Sequence, residues 1–241
     1  MAETLIKLEN VWKTFKLGET DLSILKGVNL EIQSGSFSTI MGPSGSGKST
    51  LMYLLGLLDM PSQGKVYFQG QDISGFSDDK LADVRGKKIG FIFQQFDLLQ
   101  NLTALENVML PMIFQGVPEN KRKEKAKQLL ESVNLGHRIN HKPSEMSGGE
   151  QQRIAIARSL VNNPEILIAD EPTGNLDSTT GKTVMEILTK LHNPPVGGQK
   201  KTIVVVTHDP NIAQYSQNVI HIQDGQIVSN HFQDKDVLWA K

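Results

Sequence analysis

The chain has 241 residues, with 25 Lys and Arg against 26 Asp and Glu, a formal net charge of -1 and no cysteine. Near-neutrality argues against bulk nucleic-acid binding, which draws on a strong basic excess. The missing cysteines remove disulfides, thiolate metal sites and cysteine nucleophiles together, and fit a reducing compartment. At 38% hydrophobic and 21% charged, the chain can bury a core and is not a disordered tail.

Met1-Ala2-Glu3-Thr4-Leu5 is not a basic patch followed by an apolar run, so no signal peptide is expected. The greasiest stretch, residues 51–58, falls far short of the roughly 20 apolar residues of a spanning helix. A soluble protein is expected, or at most a guest on a membrane.

The first elements read as strands. Val28, Leu30 and Ile32 alternate with Asn29 and Glu31, the pattern of a half-buried strand. Gln33-Ser34-Gly35 supplies a turn, and an apolar run resumes from Phe37 to Met41. After the glycines at 42, 45 and 47, Leu51, Leu54, Leu55 and Leu58 fall on one helical stripe, ended by Pro61 and Gly64. Residues 37–59 therefore predict strand, glycine loop and helix.

Residues 89–93 predict another buried strand. Ala126, Leu129, Leu130 and Val133 share a helix face, with Lys121, Arg122, Lys123, Lys125 and Lys127 as its solvated remainder. Ser147 with Glu150 three residues on has the spacing of a capping box, followed by Ile154, Ala157 and Val161 at helical intervals. Residues 166–169 predict a strand, and Val184, Ile187, Leu188 and Leu191 a helix. Residues 193–198 predict a loop, and the β-branched run 203–206 a strand buried on both faces. Residues 219–222, Asp224-Gly225 and 226–228 predict a hairpin.

Buried strands alternating with helices predict an α/β protein with a parallel sheet. The alternating strands near the N-terminus predict an added antiparallel layer. The helical stretch, about 98–160, reads as a subdomain inserted between core segments of about 1–97 and 161–241.

Gly42-Pro43-Ser44-Gly45-Ser46-Gly47-Lys48-Ser49 matches G-x-x-x-x-G-K-[ST] in full. Its glycines let successive backbone N–H groups turn inward around phosphate oxygens, and the following helix adds its dipole. Lys48 supplies a point charge for β- and γ-phosphates, and the Ser49 hydroxyl a ligand for Mg²⁺. A chance match in a chain of this length is about one in a hundred at average composition, and the strand before and helix after are what the motif requires.

Asp170 and Glu171 end the strand at 166–169, at the edge where open α/β sheets bind ligands. Asp170 is placed for the Mg²⁺ shell and Glu171 to take a proton from an attacking water. His208, after the strand at 203–206, is expected on the same edge, within reach of a γ-phosphate. Gln94 also follows a strand, and alone says nothing. Ser147-Gly148-Gly149 offers a second anion site of exposed N–H groups, or an ordinary N-cap.

Together these residues resemble, in order and over essentially the whole chain, the nucleotide-binding subunit of ATP-binding cassette (ABC) systems. Residues 42–49 resemble Walker A, Gln94 the Q-loop glutamine, and Met146-Ser147-Gly148-Gly149-Glu150-Gln151 the signature usually written L-S-G-G-Q-Q. Residues 166–170 resemble Walker B, Glu171 the catalytic base, Gly174-Asn175-Leu176-Asp177 the D-loop and His208 the switch histidine. Met146 and Glu150 depart mildly from the pattern. Phe15 stands where an aromatic ring stacks on adenine and the family more often has Tyr; Trp12 is the competing candidate.

The resemblance implies a P-loop NTPase (RecA-like) core with an antiparallel β subdomain and an inserted helical subdomain. It implies ATP and Mg²⁺ as cofactors, with Lys48, Gln94, Glu171 and His208 catalytic. Phe15, Gly42, Ser44, Gly45, Ser46, Gly47, Lys48, Ser49, Thr50, Ser147, Gly148, Gly149 and Asp177 would contact nucleotide, and Ser49, Gln94 and Asp170 the metal. It further implies a head-to-tail homodimer closed by ATP, with separate transmembrane permease subunits, no nucleic-acid partner, and a peripheral place on the cytoplasmic face of the cell membrane. Phe96, Leu98 and Leu99 are expected to expose apolar surface to the permease. Residues 93–99, 101–108 and 169–177 look most like the branch of macrolide and peptide exporters, lipoprotein-release systems and the cell-division pair. A soluble ABC protein of repair or translation, or a non-catalytic ATP-gated clamp, is the alternative.

Overall fold

The computed structural model describes residues 3–18, 20–194 and 200–232. In chain order its strands and α-helices are β1 (Thr4–Leu17), β2 (Thr20–Gln33), β3 (Phe37–Met41), α1 (Lys48–Leu55), β4 (Gln63–Phe68), β5 (Gln71–Asp72), α2 (Asp78–Lys88), β6 (Ile89–Ile92), α3 (Ala104–Phe114), α4 (Glu119–Ser132), α5 (Gly148–Leu160), β7 (Ile166–Asp170), α6 (Ser178–His192), β8 (Thr202–Thr207), α7 (Pro210–Ala213), β9 (Asn218–Gln223) and β10 (Gln226–Phe232). Most of the loop expected at 193–198 lies outside the described residues.

Two sheets carry these strands. The antiparallel one has the order β2-β1-β4-β5 and the other β10-β9-β3-β8-β7-β6. In the second, the pairs β6–β7, β7–β8, β8–β3 and β3–β9 are parallel, and β10 adds the antiparallel edge. Every residue of β3 and β8 is buried, as expected of strands covered on both faces by helices.

Register sets what gathers at the sheet's edge. Met41 lies beside Thr207, Asp170 beside Val206 and Ile92 beside Ala169. Loops leaving β3, β6, β7 and β8 therefore emerge together, although their residues are far apart in sequence.

The β9–β10 turn is a two-residue hairpin with Asp224 and Gly225 both at positive φ, 50° and 80°. That is the backbone a type I′ turn needs, and Asp-Gly supplies it. Strand β10 runs to Phe232, beyond the short return stroke predicted.

Apolar packing divides by region. Leu98, Ala104, Val108, Met112, Ala126, Leu130 and Ile154 belong to one buried cluster, built from α3, α4 and α5. Ile156 and Leu160, on the other side of α5, pack with Leu167, Val184 and Ile203 of the sheet core. The basic side chains at 121, 123, 125 and 127 are exposed, the solvated face expected of α4.

Two expectations are corrected. Helix α1 stops at Leu55, so Leu58 leaves the apolar stripe and is 44% exposed, while Leu57 turns inward at φ 55°. The chain leaves the helix at left-handed Leu57, where the Leu58 N–H donates back to the Tyr53 carbonyl at 2.8 Å; Gly56 lets this turn pack closely, since a Cβ there would sit 2.5 Å from the Phe91 ring. Leu98, expected on the surface, is buried in the helical cluster. Asn107 pulls its neighbourhood inward, accepting from the Leu99 N–H at 2.8 Å and donating to the carbonyls of Leu99, Leu102 and Thr103.

Candidate nucleotide site

The loop between β3 and α1 is held by its own backbone and by the β9–β10 turn. Gly45 and Gly47 adopt φ 77° and 102°, conformations that side chains resist. Gly42 has another constraint: a Cβ there would lie 2.1 Å from the Ile222 carbonyl oxygen of β9. The β9–β10 turn buttresses the loop, since the Gly225 N–H donates to the Ser46 carbonyl at 3.0 Å. Ser46 itself is buried, and Lys48 Nζ donates to the carbonyls of Gly42 and Pro43 at 2.8 Å each. The ammonium is thereby folded over the loop's centre, aimed by backbone dipoles.

A cavity of about 710 Å³ opens above this loop. Ser44, Gly45, Gly47, Lys48, Ser49 and Thr50 form its floor. Gln94, Asp170, Glu171 and His208 arrive from the ends of β6, β7 and β8. Ile24 of β2 forms an apolar wall that sequence reasoning did not single out.

Glu171 is the most constrained acid of the site. Its Oε1 accepts from the His208 backbone N–H at 3.0 Å and lies 2.6 Å from His208 Nδ1. Its Oε2 accepts from the Thr207 hydroxyl at 2.8 Å, and its backbone sits at φ 43°. Both oxygens are thus oriented by the end of β8, and the His208 ring, 73% exposed, also lines the cavity.

Asp170 is half-buried, and burial pushes its carboxyl above the usual carboxylate range; adjacent Glu171 pushes the same way and Lys48 opposes. A desolvated acid beside a second acid, lining one cavity with the Ser49 hydroxyl and the Gln94 amide oxygen, is an all-oxygen donor set suited to a hard divalent cation. The residues present fit Mg²⁺.

The signature segment is elsewhere on the protomer. Ser147 caps α5 and Glu150 completes the box: Glu150 N–H donates to Ser147 Oγ at 3.3 Å, and Ser147 N–H to Glu150 Oε2 at 2.9 Å. Gln151 Nε2 then donates to the carbonyls of Pro143 and Met146, fixing the approach to the cap. Gly149 packs so closely on Thr180 that a Cβ would come within 2.2 Å of its methyl. Ser147, Gly148 and Gly149 do not line the 710 Å³ cavity of their own protomer.

Nor does Asp177, whose carboxylate caps α6 by accepting from the N–H groups of Thr179 and Thr180 at 3.1 and 3.0 Å. The hydroxyl of Thr180 and these N–H groups hold it below the usual carboxylate range. Phe15 is 44% exposed near the tip of the β1–β2 hairpin, with Lys13 Nζ 5.0 Å from its ring centroid, and Trp12 donates to Asn10 Oδ1. A second hollow, of about 320 Å³, lies between α2, β6, α3 and α5, with Arg85, Phe91, Phe93, Asp97, Pro111 and Arg158 on its walls.

Residues 25–174 match the family model described as ABC transporter. An uncharacterized ABC transporter ATP-binding protein of Thermotoga maritima is 50% identical over 222 residues, which cover 92% of this chain and 93% of that one. The macrolide export ATP-binding/permease protein MacB of Bdellovibrio bacteriovorus is 49% identical over 226 residues, 94% of this chain but 34% of MacB. The solved dimer of the cassette MJ0796 bound to ADP and Pi superposes with a TM-score of 0.86 at 46% identity, covering 95% of this chain and 98% of that one; the organism of MJ0796 is Methanocaldococcus jannaschii. The chain belongs to the ABC transporter family and carries its ATP-binding cassette. No described helix is long and apolar enough to cross a membrane.

Proposed function

We propose that the chain is the ATP-hydrolysing subunit of an ABC transporter, working as a head-to-tail homodimer beneath separate permease subunits. The convergence of the phosphate loop, Asp170, Glu171, His208 and Gln94 on one cavity carries this reading. The MJ0796 cassette was solved as a dimer with ADP and Pi, and MacB joins an ATP-binding part to a permease by name.

The β- and γ-phosphates lie in the loop of residues 42–50, with Lys48 against their charge. Phe15 stacks on the adenine. Glu171 orients a water and takes its proton as the water oxygen bonds to the γ-phosphorus and the bond from that phosphorus to the ADP oxygen breaks; His208 holds the Glu171 carboxylate and reaches the γ-phosphate. Ser49, Gln94 and Asp170 would hold Mg²⁺, which when bound would supply positive charge against the phosphates.

A protomer's Ser147, Gly148 and Gly149 lie away from its own cavity, so they serve the partner's nucleotide, and Asp177 lies along the same seam. Two-fold symmetry makes two such composite sites. ATP closes the dimer by contacting both surfaces, and a preference of about 5 kcal/mol for the closed state shifts it almost completely. The 320 Å³ hollow receives the permease, so the chain is peripheral on the cytoplasmic face of the membrane, in the export or mechanical branch of the family.

Steady-state phosphate release from the purified chain, compared with Glu171→Gln, tests the reading. Magnesium-dependent release by the parent and none by the variant supports it; equal release by both rejects it. A parent that binds ATP and never turns over points to the non-catalytic clamp.

A further inference from the structure

The Gln94 amide, in the segment that resembles the Q-loop, is joined to Asn175, in the segment that resembles the D-loop. Asn175 Nδ2 donates to the backbone carbonyl of Gln94 at 2.9 Å. That bond fixes the Asn175 amide, so its Oδ1 is the end turned to the Gln94 side chain, and Gln94 Nε2 donates to it at 3.4 Å. With its NH₂ committed to Asn175, Gln94 has its oxygen left to present to the cavity.

A separate observation shows how tightly the pair is seated. Gly174 lies beneath the Gln94 amide, where a Cβ would come within 2.7 Å of Nε2. On the far side, Arg158 of α5 donates to the Phe96 carbonyl at 2.9 Å and to that of Asp97. Phe96 and Asp97 stand at φ 62° and 49°, two consecutive left-handed residues that need such a clamp. The backbone is thus held at Gln94 by Asn175 and at Phe96 and Asp97 by Arg158.

We propose that Asn175 is a positioning residue that sets which end of the Gln94 amide faces the nucleotide cavity. An acceptor there suits a water proton or a cation, and a donor suits neither. The inference rests on the reading of the cavity as an ATPase site for its consequence in turnover, but not for the relay itself.

Two measurements test it. In ¹⁵N spectra, the Gln94 side-chain amide signal, identified by its loss in Gln94→Glu, is displaced from the free-amide position in the parent and moves to that position in Asn175→Ala. Asn175→Ala lowers kcat by about tenfold to a hundredfold, the usual effect of a misplaced group, with the KM for ATP within about twofold of the parent. It then adds little to Gln94→Ala in a double-mutant cycle. A Gln94 signal unmoved by Asn175→Ala, or two effects that simply add, overturns the proposal. A parent that hydrolyses no ATP overturns the proposed function instead, and the spectra alone then decide on Asn175.

Discussion

The carboxylate of Glu171 and the imidazole of His208, 37 residues apart, meet at 2.6 Å, and the His208 backbone N–H donates to the same oxygen. The pairing follows from strand order. Strands β7 and β8 are parallel neighbours with Asp170 beside Val206, so the residues just past each strand's end face one another. Glu171→Gln keeps the shape and loses the base. We expect phosphate release to fall by at least about a hundredfold, at the low end of what general-base catalysis contributes, while ATP binding persists and ATP shifts the variant to dimer in size-exclusion chromatography. Turnover at the parental rate would remove Glu171 from the role of base.

Lys48→Ala removes the ammonium that Gly42 and Pro43 hold over the loop. Calorimetric titration should show at least a tenfold loss of ATP affinity, about 1.4 kcal/mol. Lys48→Arg should not restore it, because a planar fork cannot occupy the seat of a point charge between two carbonyls. Unchanged affinity in Lys48→Ala would show that the backbone amides alone carry the phosphate.

Glu150 gives stability a specific pH dependence. The Ser147 backbone N–H above all, then the Ser147 hydroxyl and Arg138, hold its carboxyl below the usual range, against the opposing pull of burial. A carboxylate with its folded pKa depressed stabilises the fold above its unfolded pKa, about 4.3, and the contribution disappears as pH falls through the lower folded value. Glu150→Gln should therefore lose roughly 0.3–1 kcal/mol at neutral pH, as for a charge near a helix N-terminus. It should lose little relative to the parent in strong acid. Chemical denaturation at several pH values reads this directly, and a variant deficit constant with pH would contradict it.

How much was legible in the sequence depended on distance along the chain. The phosphate loop was readable because eight consecutive residues carry one geometry, and the Ser147–Glu150 cap because its partners are three apart. Helix α2 escaped notice because Leu81 is its single buried residue, leaving no apolar stripe. Helix α3 carries Pro111 inside it, which reads as an interruption. Leu98 was misplaced because the Asn107 side chain, nine positions on, decides where its loop lies. The Asn175–Gln94 relay spans 81 residues and has no local signature.

Gly42 and Gly45 separate two reasons for glycine in one loop. At Gly45 a Cβ would meet nothing within 4 Å, but φ is 77°. Gly45→Ala therefore carries a left-handed strain of about 1–2 kcal/mol, and its loop keeps the same seat against β9. At Gly42 the objection is contact: a Cβ would collide with the Ile222 carbonyl oxygen at 2.1 Å, and that atom belongs to a strand that cannot yield without disturbing the sheet. Gly42→Ala forces the loop off its support at about 1–3 kcal/mol, the range for overpacked sites, and moves the carbonyl that holds Lys48. The expected result is a lowered melting temperature in both variants, with ATP binding weakened in Gly45→Ala and lost in Gly42→Ala. Nucleotide-dependent thermal shift measures both quantities at once. If Gly42→Ala keeps the parental shift with ATP, the β9 carbonyl is not what positions the loop.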